Sequence, residues 1–596
     1  PQGRERELAG YYELSIMNLD LEEMKKKIFF KASLLLVAGM LAACSSNDDN
    51  EENNGTRNGK VDVTKAVEFK VDFADYNDNG ETDMTRTNSN GAVLQQQTVN
   101  LGNGILALCT LQRDTTKQAK SVTTRTLPND TYTMLAYDHT THAFKGEVTG
   151  TITGGVFRYS GDKAIELEPG TYDFVLFNSK LQRNGNSLNV TRANASDAFI
   201  GRTTQAITAT PYHQLVPFTM KHAAAKVKFK LTGYMDFPAV TADLTPKSPY
   251  GFITGSTYDA STATWQAAQH AMENIPFTFN AATAATDTYV STSNEEVYFT
   301  PKAKVGYMDF HFNSGTIYQQ NMSGNMVNLK DMELDPNGAY VLNIKLLYNF
   351  LYLFSDGTIG YITETVYGGA SAATAKTPIA LVASQSKRFA IALKDANGGN
   401  KVLQWGKTNM QTSTNMSNYT LTQYVRMNGY EETWTTTCST DGIIKGSDQT
   451  NYPAFYIAGT YDPGTTVTGA NVSKWYLPTL GQWSTALQVL NTGIATQPHP
   501  TDLNNWEIKL ADIAFTQVGG TPLQSGNTVY HPYPGGVPGG HWDHEFYAYW
   551  CSSEFDTKYA WVVGLVKKGY RINMGYQKDS TPNPDENIFV RSFVNF

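Results

Sequence analysis

Short segments in which apolar and polar residues alternate constrain the fold of this chain more than any other feature. The clearest is VEFKVDF at residues 67–73, and Tyr172, Phe174 and Leu176 repeat the pattern after the turn Pro169-Gly170. Alternation places every second side chain on the same face of a β-strand. Such strands are separated by Gly, Asn, Asp and Pro without helical patterns between them, so we predict antiparallel β-sandwiches.

Length and charge limit the domain count and the partners. The chain has 596 residues, which predicts about three or four domains. Its formal net charge is −8 and its lysines and arginines are scattered. We therefore predict that the protein does not bind nucleic acid.

A targeting segment lies near the start of the sequence. Lys25-Lys26-Lys27 precede an apolar run at residues 28–41, and Leu41-Ala42-Ala43 precede Cys44. The apolar run is shorter than the ~20 residues that cross a bilayer, so it is typical of a secretory signal. It resembles a bacterial lipoprotein signal, which implies a lipidated Cys44.

The flanks of this segment are acidic. Residues 1–23 are too acidic to open a signal, so we expect them to be read-through sequence upstream of a signal peptide at 24–43. Residues 44–60 form a polar tether, because they contain too little apolar surface to fold. The tether resembles the acidic signal that directs Bacteroidetes lipoproteins to the outer face of the outer membrane.

Three passages are similar to the fimbrillin family of Bacteroidetes pilus subunits. They are TYTMLAYD at 131–138, LEPGTYDFV at 167–175 and PFTMKHAAAKV at 217–227. The resemblance implies two tandem transthyretin-like antiparallel β-sandwich domains, at 61–211 and 212–347. His222 lies at the junction between them, where we expect a structural hydrogen bond rather than chemistry.

The texture of the sequence changes after residue 347. Thr479 and Gln482 match a capping box, and the residues that follow place Leu480, Trp483, Leu487 and Leu490 on one helical face. With YWCSSE at 549–554 and the closing segment VRSFVNF at 590–596, this order resembles the Fibrobacter succinogenes major paralogous domain. We therefore predict an α+β C-type lectin-like adhesin module at 348–596.

No motif predicts an enzyme, a cofactor or a metal site. Residues 75–80 imitate the start of a calcium loop, but Arg86 stands where a bidentate Glu is needed. His541 and His544 are three residues apart in a Gly-Pro-rich loop, whereas a catalytic zinc helix needs a spacing of four. Sugar-binding calcium motifs are lacking, so Trp542 is our candidate for contact with a ligand.

The fimbrillin resemblance also implies a mode of assembly. An Arg-specific surface protease removes an N-terminal strand, and a strand from another fimbrillin subunit fills the open groove by donor-strand complementation. Here the strand at 67–73 is the candidate for displacement, through Val67, Phe69, Val71 and Phe73. The candidate cut sites are Arg86, Arg57 and Arg125, and Arg86 fits best because it follows the strand in a polar stretch.

A folded module at 348–596 prevents a subunit from donating a C-terminal strand, so we predict a fimbrial tip subunit whose module binds a host or microbial surface ligand, a glycan or a protein. The lipid on Cys44 is then a transient outer-membrane anchor. The alternatives are a surface glycan-binding lipoprotein of a polysaccharide-uptake system and a fimbrial anchor subunit. Whether Cys438 pairs with Cys551 stays open.

Overall fold

The computed structural model describes residues 56–57, 59–77, 93–115, 127–210, 213–249, 251–286, 288–490, 512–524, 530–531, 541–542, 546–566, 569–579 and 586–596. The protein is mainly β, with 47% strand and 13% helix, which confirms the predicted class.

The first part of the chain forms strands joined by short turns, with one short helix and one 3-10 segment at Arg192–Asp197. The elements are β1 Thr56–Arg57, β2 Lys60–Asp62, α1 Val63–Ala66, β3 Val67–Phe73, β4 Val93–Gly102, β5 Ile105–Arg113, β6 Tyr132–Asp138, β7 Phe144–Thr153, β8 Val156–Ser160, β9 Glu166–Leu167, β10 Gly170–Asn178, β11 Gln182–Asn184, β12 Ser187–Thr191 and β13 Phe199–Ile207.

The second part is also built of strands, with a 3-10 turn at Val305–Tyr307. The strands are β14 Gln214–His222, β15 Ala225–Gly233, β16 Val240–Pro246, β17 Phe252–Asp259, β18 Thr264–Ala271, β19 Ile275–Phe279, β20 Thr283–Ala285, β21 Thr288–Thr292, β22 Val297–Phe299, β23 Met308–Ser314, β24 Thr316–Ile317, β25 Gln320–Asn321, β26 Met326–Asn328 and β27 Ala339–Tyr348.

The last part mixes helices and strands. Its elements are β28 Leu351–Phe354, β29 Ile359–Tyr361, β30 Pro378–Ser384, β31 Phe389–Ala392, α2 Thr420–Tyr424, α3 Gly429–Trp434, α4 Pro453–Gly459, α5 Leu480–Leu490, β32 Tyr530–His531, β33 His541–Trp542, β34 Phe546–Glu554, β35 Tyr559–Val566, β36 Gly569–Gln577, β37 Glu586–Phe589 and β38 Phe593–Asn595, with short 3-10 turns at Ile362–Glu364, Val366–Gly368, Asn397–Gly399, Thr436–Cys438 and Lys445–Ser447.

Seven strands close into a barrel in the order β10-β13-β14-β3-β8-β7-β6. Within it β3 runs parallel to β14, with Val67 opposite Gln214 and Phe73 opposite Met220. The pairs β15–β27 and β34–β37 are parallel as well. The antiparallel prediction is wrong for β3–β14 and β15–β27, because alternation identifies the buried face of a strand but not the direction of its partner.

Strand β10 is buried on both faces. Tyr172, Phe174 and Leu176 belong to the core inside the barrel, whereas Val175 and Phe177 belong to a second cluster outside it. A sheet of order β11-β12-β17-β18 supplies residues such as Leu188 and Tyr258 to that outer cluster. Both faces of this strand are therefore covered, unlike a simple half-buried strand.

The chain segments before and after residue 211 are interlocked. Strands β4 and β5 form a hairpin whose second strand pairs with β27, from Tyr340 opposite Arg113 to Tyr348 opposite Ile105. Conversely, β17 pairs with β12. The second sheet, of order β20-β21-β15-β27-β5-β4, is completed by residues that precede most of the barrel in sequence.

The last part of the chain shares a hydrophobic core with the second sheet. One buried cluster contains Leu108 and Ile344 as well as Trp483 and Phe593. Helix α5 has the predicted capping box, since Thr479 N–H donates to Gln482 Oε1 (3.0 Å) and Gln482 N–H donates to Thr479 Oγ1 (3.2 Å). Leu480, Trp483, Leu487 and Leu490 are buried, as predicted, and Gln482 and Ala486 are buried as well.

Candidate functional site

Strand β3 contributes one of its faces to the barrel core. Val67, Phe69 and Val71 are buried and Phe73 is partly buried, whereas the side chains between them are exposed. The strand therefore buries its apolar face as its alternation predicts. The four predicted residues form one continuous inward face.

Phe69 is the centre of this face. Its ring lies 5.4 Å from that of Phe174, 6.0 Å from that of Phe218 and 6.5 Å from that of Phe157, measured between centroids. These residues come from β10, β14 and β8, so one side chain joins three walls of the barrel. Edge-on and tilted contacts of this kind add to the free energy gained by burying the rings.

The two edges of β3 are bonded unequally. All of its residues are in register with β14, from Val67 to Phe73. Against β8, only Phe69 and Lys70 are in register, and Val71 N–H donates to the Gly155 carbonyl nearby (2.7 Å). The first half of β3 is therefore separated from β8.

A cavity of about 420 Å³ lies at this separation. Its lining includes Val67 and Phe69 from β3, Phe157 and Tyr159 from β8, and Met134 from β6. Tyr159 is 42% exposed at the end of β8. The barrel is thus accessible along one side of the strand and closed along the other.

Residues 74–77 continue from β3 into contact with the second sheet. Asn77 has a left-handed conformation (φ 64°), and its side chain is bonded on both sides. Its Nδ2 donates to the carbonyls of Ala339 (3.1 Å) and Asp114 (3.0 Å), and Ala339 N–H donates to its Oδ1 (2.9 Å). Asn77 therefore connects this segment to the ends of β27 and β5.

Tyr76 stacks on His222. The ring centroids are 3.8 Å apart with an angle of 11° between planes, and Lys226 Nζ lies 4.6 Å from the centre of the Tyr76 ring. Lys226 also forms an ion pair with Glu296 (3.0 Å). Burial raises the pKa of the Tyr76 hydroxyl, which has no hydrogen-bond partner among the described residues.

His222 ends β14 at the junction, where the sequence predicts a structural hydrogen bond. Its backbone N–H donates to Asn337 Oδ1 (3.1 Å). Burial lowers the pKa of its imidazole to about 4, and the nearby Lys226 charge acts in the same direction. The side chain is therefore neutral at physiological pH and packs as an aromatic ring.

Sequence reasoning did not identify Tyr76 and Asn77 as contacts of the second sheet. The only local signal was the cluster of Asp and Asn at 75–79, which imitates a calcium loop. Asn tolerates the left-handed conformation that Asn77 adopts, so a turn after β3 was foreseeable. Its partner Ala339 is 262 residues away.

The structure describes only some of the other residues that the sequence predicts as sites. Arg57 lies in β1 opposite Lys60. Trp542 lies in β33 opposite Tyr530. Cys44, Arg86 and Arg125 lie outside the described residues.

Cys438 and Cys551 are free thiols, and Cys551 is buried. Other tryptophans of the last part of the chain, Trp475, Trp550 and Trp561, are buried and belong to its cores. Within the described ranges, no three His, Cys, Asp or Glu residues are grouped so that they could hold a metal. Within those ranges, no helix has both the length and the apolarity to cross a membrane.

Buried charges in the last part of the chain are fully engaged. Arg591 donates to Asp395 Oδ1 (2.8 Å) and to the carbonyls of Ala392, Leu393 and Thr521. Lys578 pairs with Glu554, which also accepts from Ser413 N–H (2.7 Å). Each of these charges is paired and hydrogen bonded, so removing one partner would leave an uncompensated buried charge.

Residues 177–360 match a family model described as Fimbrillin-like. This match confirms the predicted fimbrillin resemblance for residues 177–347 and extends beyond the predicted boundary at 347 into β29. No curated protein matches the chain.

Solved structures from Bacteroides species are similar to parts of the chain. A fimbrial protein from Bacteroides ovatus is 12% identical, with 90% of this chain and 100% of that one covered and a TM-score of 0.23. A candidate cell adhesion protein from the same species is 11% identical, covers 47% of this chain and 92% of its own, and has a TM-score of 0.28. A candidate cell adhesion protein from Bacteroides uniformis is 13% identical, with 39% and 88% covered and a TM-score of 0.25.

Proposed function

We propose that the protein is a structural and adhesive subunit of a cell-surface fimbrium, in which β3 is exchanged for a strand of a neighbouring subunit. This proposal rests on the position of β3. The inward side chains of the strand fill the barrel, and its edge toward β8 is hydrogen bonded along only part of its length. A strand with the same alternation would restore the core and the main-chain bonds. The Fimbrillin-like match over 177–360 supports this class of protein.

The position of β3 in the chain favours Arg86 as the processing site. A cut after Arg57 leaves β3 attached to the rest of the protein. A cut after Arg125 also separates the β4–β5 hairpin, whose Ile105, Leu108 and Leu111 are buried in the second core. A cut after Arg86 separates β3 and leaves the hairpin connected to β6, so one core opens and the other stays intact.

N-terminal sequencing of protein purified from the cell surface tests this step. We expect the chain to begin after Arg86, and an Arg86→Ala variant to stay unprocessed and absent from fibres. Arg125→Ala is the matched control, and it should assemble normally. A surface protein that still begins at the lipidated Cys44 would contradict processing.

We propose the tip as the position of this subunit in the fibre. Strand β38 pairs with β31, and Phe593 and Val594 are fully buried, so this segment is held in its own sheet and is not free to enter a neighbour's groove. The groove vacated by β3 remains able to receive a strand. A subunit that receives without donating ends a fibre at the end farthest from the cell.

Immunogold labelling distinguishes the positions. Label at fibre ends supports the tip, and label at fibre bases supports an anchor that keeps the lipid on Cys44. Label on the cell surface without fibres supports the glycan-binding lipoprotein of an uptake system. In the tip proposal, the lipid delivers the subunit to the outer membrane surface and is lost on processing.

We further propose that the module at 348–596 binds a host or microbial surface ligand through Trp542. Arrays of glycans and matrix proteins probed with the full chain test this directly. Trp542→Ala should abolish the signal, whereas Tyr419→Ala, which removes an aromatic side chain that is 61% exposed, should retain it. No binding to either class would make the module a structural end piece.

A further inference from the structure

Residues 74–77, here called the latch, connect the removable strand to a different part of the molecule from the barrel that it fills. Tyr76 lies between a barrel residue and a second-sheet residue, since it stacks on His222 of β14 and lies beside Lys226 of β15. Asn77 bonds to β27 and to Asp114 just after β5. Ala74 N–H still donates to the barrel, at the Met220 carbonyl (2.9 Å).

The latch also holds the turn that begins β27. Asn77 N–H donates to the Asn337 carbonyl (2.9 Å), and Asn337 Nδ2 donates to the Asp75 carbonyl (3.0 Å). The Oδ1 of Asn337 in turn accepts from His222 N–H. Hydrogen bonds thus join Asp75, Asn77, His222 and Asn337, and they connect the barrel to the second sheet.

We infer that the latch fixes the junction between the barrel and the second sheet, so that a strand replacing β3 closes this junction only if it brings an aromatic residue and an Asn in the places of Tyr76 and Asn77. The interaction surface is the one formed by His222, Lys226, Asn337 and Ala339. Its occupant is an extended segment that runs parallel to β14 and ends in that pair of residues. The role of the incoming strand rests on the proposed function, whereas the role of residues 74–77 in the uncut chain does not.

The chemistry of the surface explains this selectivity. An aromatic ring satisfies the imidazole face and the lysine ammonium together, because a cation is attracted to the face of a π-system. The following position needs a left-handed backbone, which Gly and Asn adopt most readily. Asn adds two donor bonds and two accepted bonds there, from Ala339 N–H and Arg113 Nη1.

Hydrogen exchange in the full, uncut chain tests the latch. In Tyr76→Ala we expect the amides of His222, Asn337 and Ala339 to exchange about tenfold faster or more, because their bonds lose the ring that covers the junction. Tyr76→Phe is the matched control and should exchange as the wild type does, since the hydroxyl has no hydrogen-bond partner in the part of the chain that the structure describes. Barrel amides at 174–176 should be unchanged.

Asn77→Gly is the second variant, because it keeps the left-handed backbone and removes only the side-chain bonds. It should accelerate exchange at Ala339 in the same way. Unchanged exchange at the junction in both variants would overturn the inference. Equal acceleration in the barrel would overturn it as well, because the segment would then only stabilise the barrel.

A nicked chain tests the incoming strand. A specific protease site inserted between residues 77 and 93 allows the N-terminal fragment to be cut and then displaced by a synthetic peptide of residues 64–77. We expect a peptide with Ala in place of Tyr76 to need about tenfold more peptide for the same displacement. Equal displacement by both peptides would overturn the selectivity. An unprocessed N-terminus in cells would sink the proposed function but leave the exchange results intact.

Discussion

His222 combines burial with a titratable ring, so its contribution to stability depends on pH. Burial lowers the pKa of the imidazole to about 4, with Lys226 acting in the same direction and Asp75 and Asp197 in the opposite one. A histidine in the unfolded chain titrates near 6.5. The folded state therefore excludes a proton that the unfolded state binds, and stability present above pH 6.5 is lost as the pH falls toward 4.

The change His222→Phe tests this expectation, because phenylalanine keeps the stack on Tyr76 and does not titrate. Between pH 6.5 and 4, the free energy of unfolding of the wild type should fall by up to about 3 kcal/mol more than that of the variant. Denaturant titrations at several pH values measure the difference. Parallel pH profiles for the two proteins would contradict a buried neutral imidazole at this position.

At single positions, the sequence indicated side chains on alternating faces and missed long-range polar contacts. Val67, Phe69 and Val71 are inward because a period of two leaves them no other common face. Arg591 was only part of a closing motif in the sequence, yet it is fully buried beside Asp395. Its partner Asp395 lies 196 residues away in sequence, and a local sequence pattern contains no information on so distant a partner.

Among the elements, β3 can be tested for its contribution to the barrel core. Phe69→Ala removes a ring that contacts three walls of the barrel, and such a truncation costs about 3–5 kcal/mol of unfolding free energy. Glu68→Ala is the neighbouring control, since its side chain is exposed and its loss should change stability by no more than about 0.5 kcal/mol. Equilibrium denaturation of the intact chain measures both. Similar small effects for the two variants would mean that β3 does not fill the barrel.

The elements also separate what local sequence determines from what chain topology determines. Helix α5 was predicted with its capping box, because Thr479 and Gln482 satisfy each other's backbone within one turn. The parallel pairing of β3 with β14 was not predicted. Residues 74–213 separate the two strands, and the relative direction of the strands depends on every connection in between.

At the scale of the whole molecule, strands from either side of the predicted boundary at residue 211 pair with each other. The two parts of the chain are therefore less independent than separate domains would be. The β4–β5 hairpin completes the sheet of β27, and β17 extends the sheet of β12. Neither of these pairings can be recognised in the sequence, because a strand has the same alternating pattern whichever core it packs against. Processing near Arg86 would therefore have to spare the hairpin if the second sheet is to survive.

The second sheet and the last part of the chain should unfold as one cooperative unit, because a single buried cluster contains residues of both. Gln517 joins them most directly. Its Oε1 accepts from Tyr348 N–H (2.9 Å), and its Nε2 donates to the Tyr348 carbonyl (2.7 Å) and to Tyr352 Oη (2.8 Å). Gln517→Ala removes all three bonds and leaves the Tyr348 N–H without this acceptor, at a cost of about 1–3 kcal/mol. The Tyr348 carbonyl still accepts from Phe350 N–H (3.0 Å), and Tyr352 Oη still donates to the Ala514 carbonyl (2.7 Å).

Hydrogen exchange followed across a temperature series measures this coupling. In Gln517→Ala, amides at 342–346 in β27 and at 560–563 in β35 should lose protection together and by the same factor. Gln266→Ala removes the side-chain amide of an exposed glutamine, and the exchange of both sets of backbone amides should stay unchanged. If only the β35 amides were affected, the last part would be an independently folding module. A shared loss would mean instead that the second sheet and the last part of the chain open as one cooperative unit.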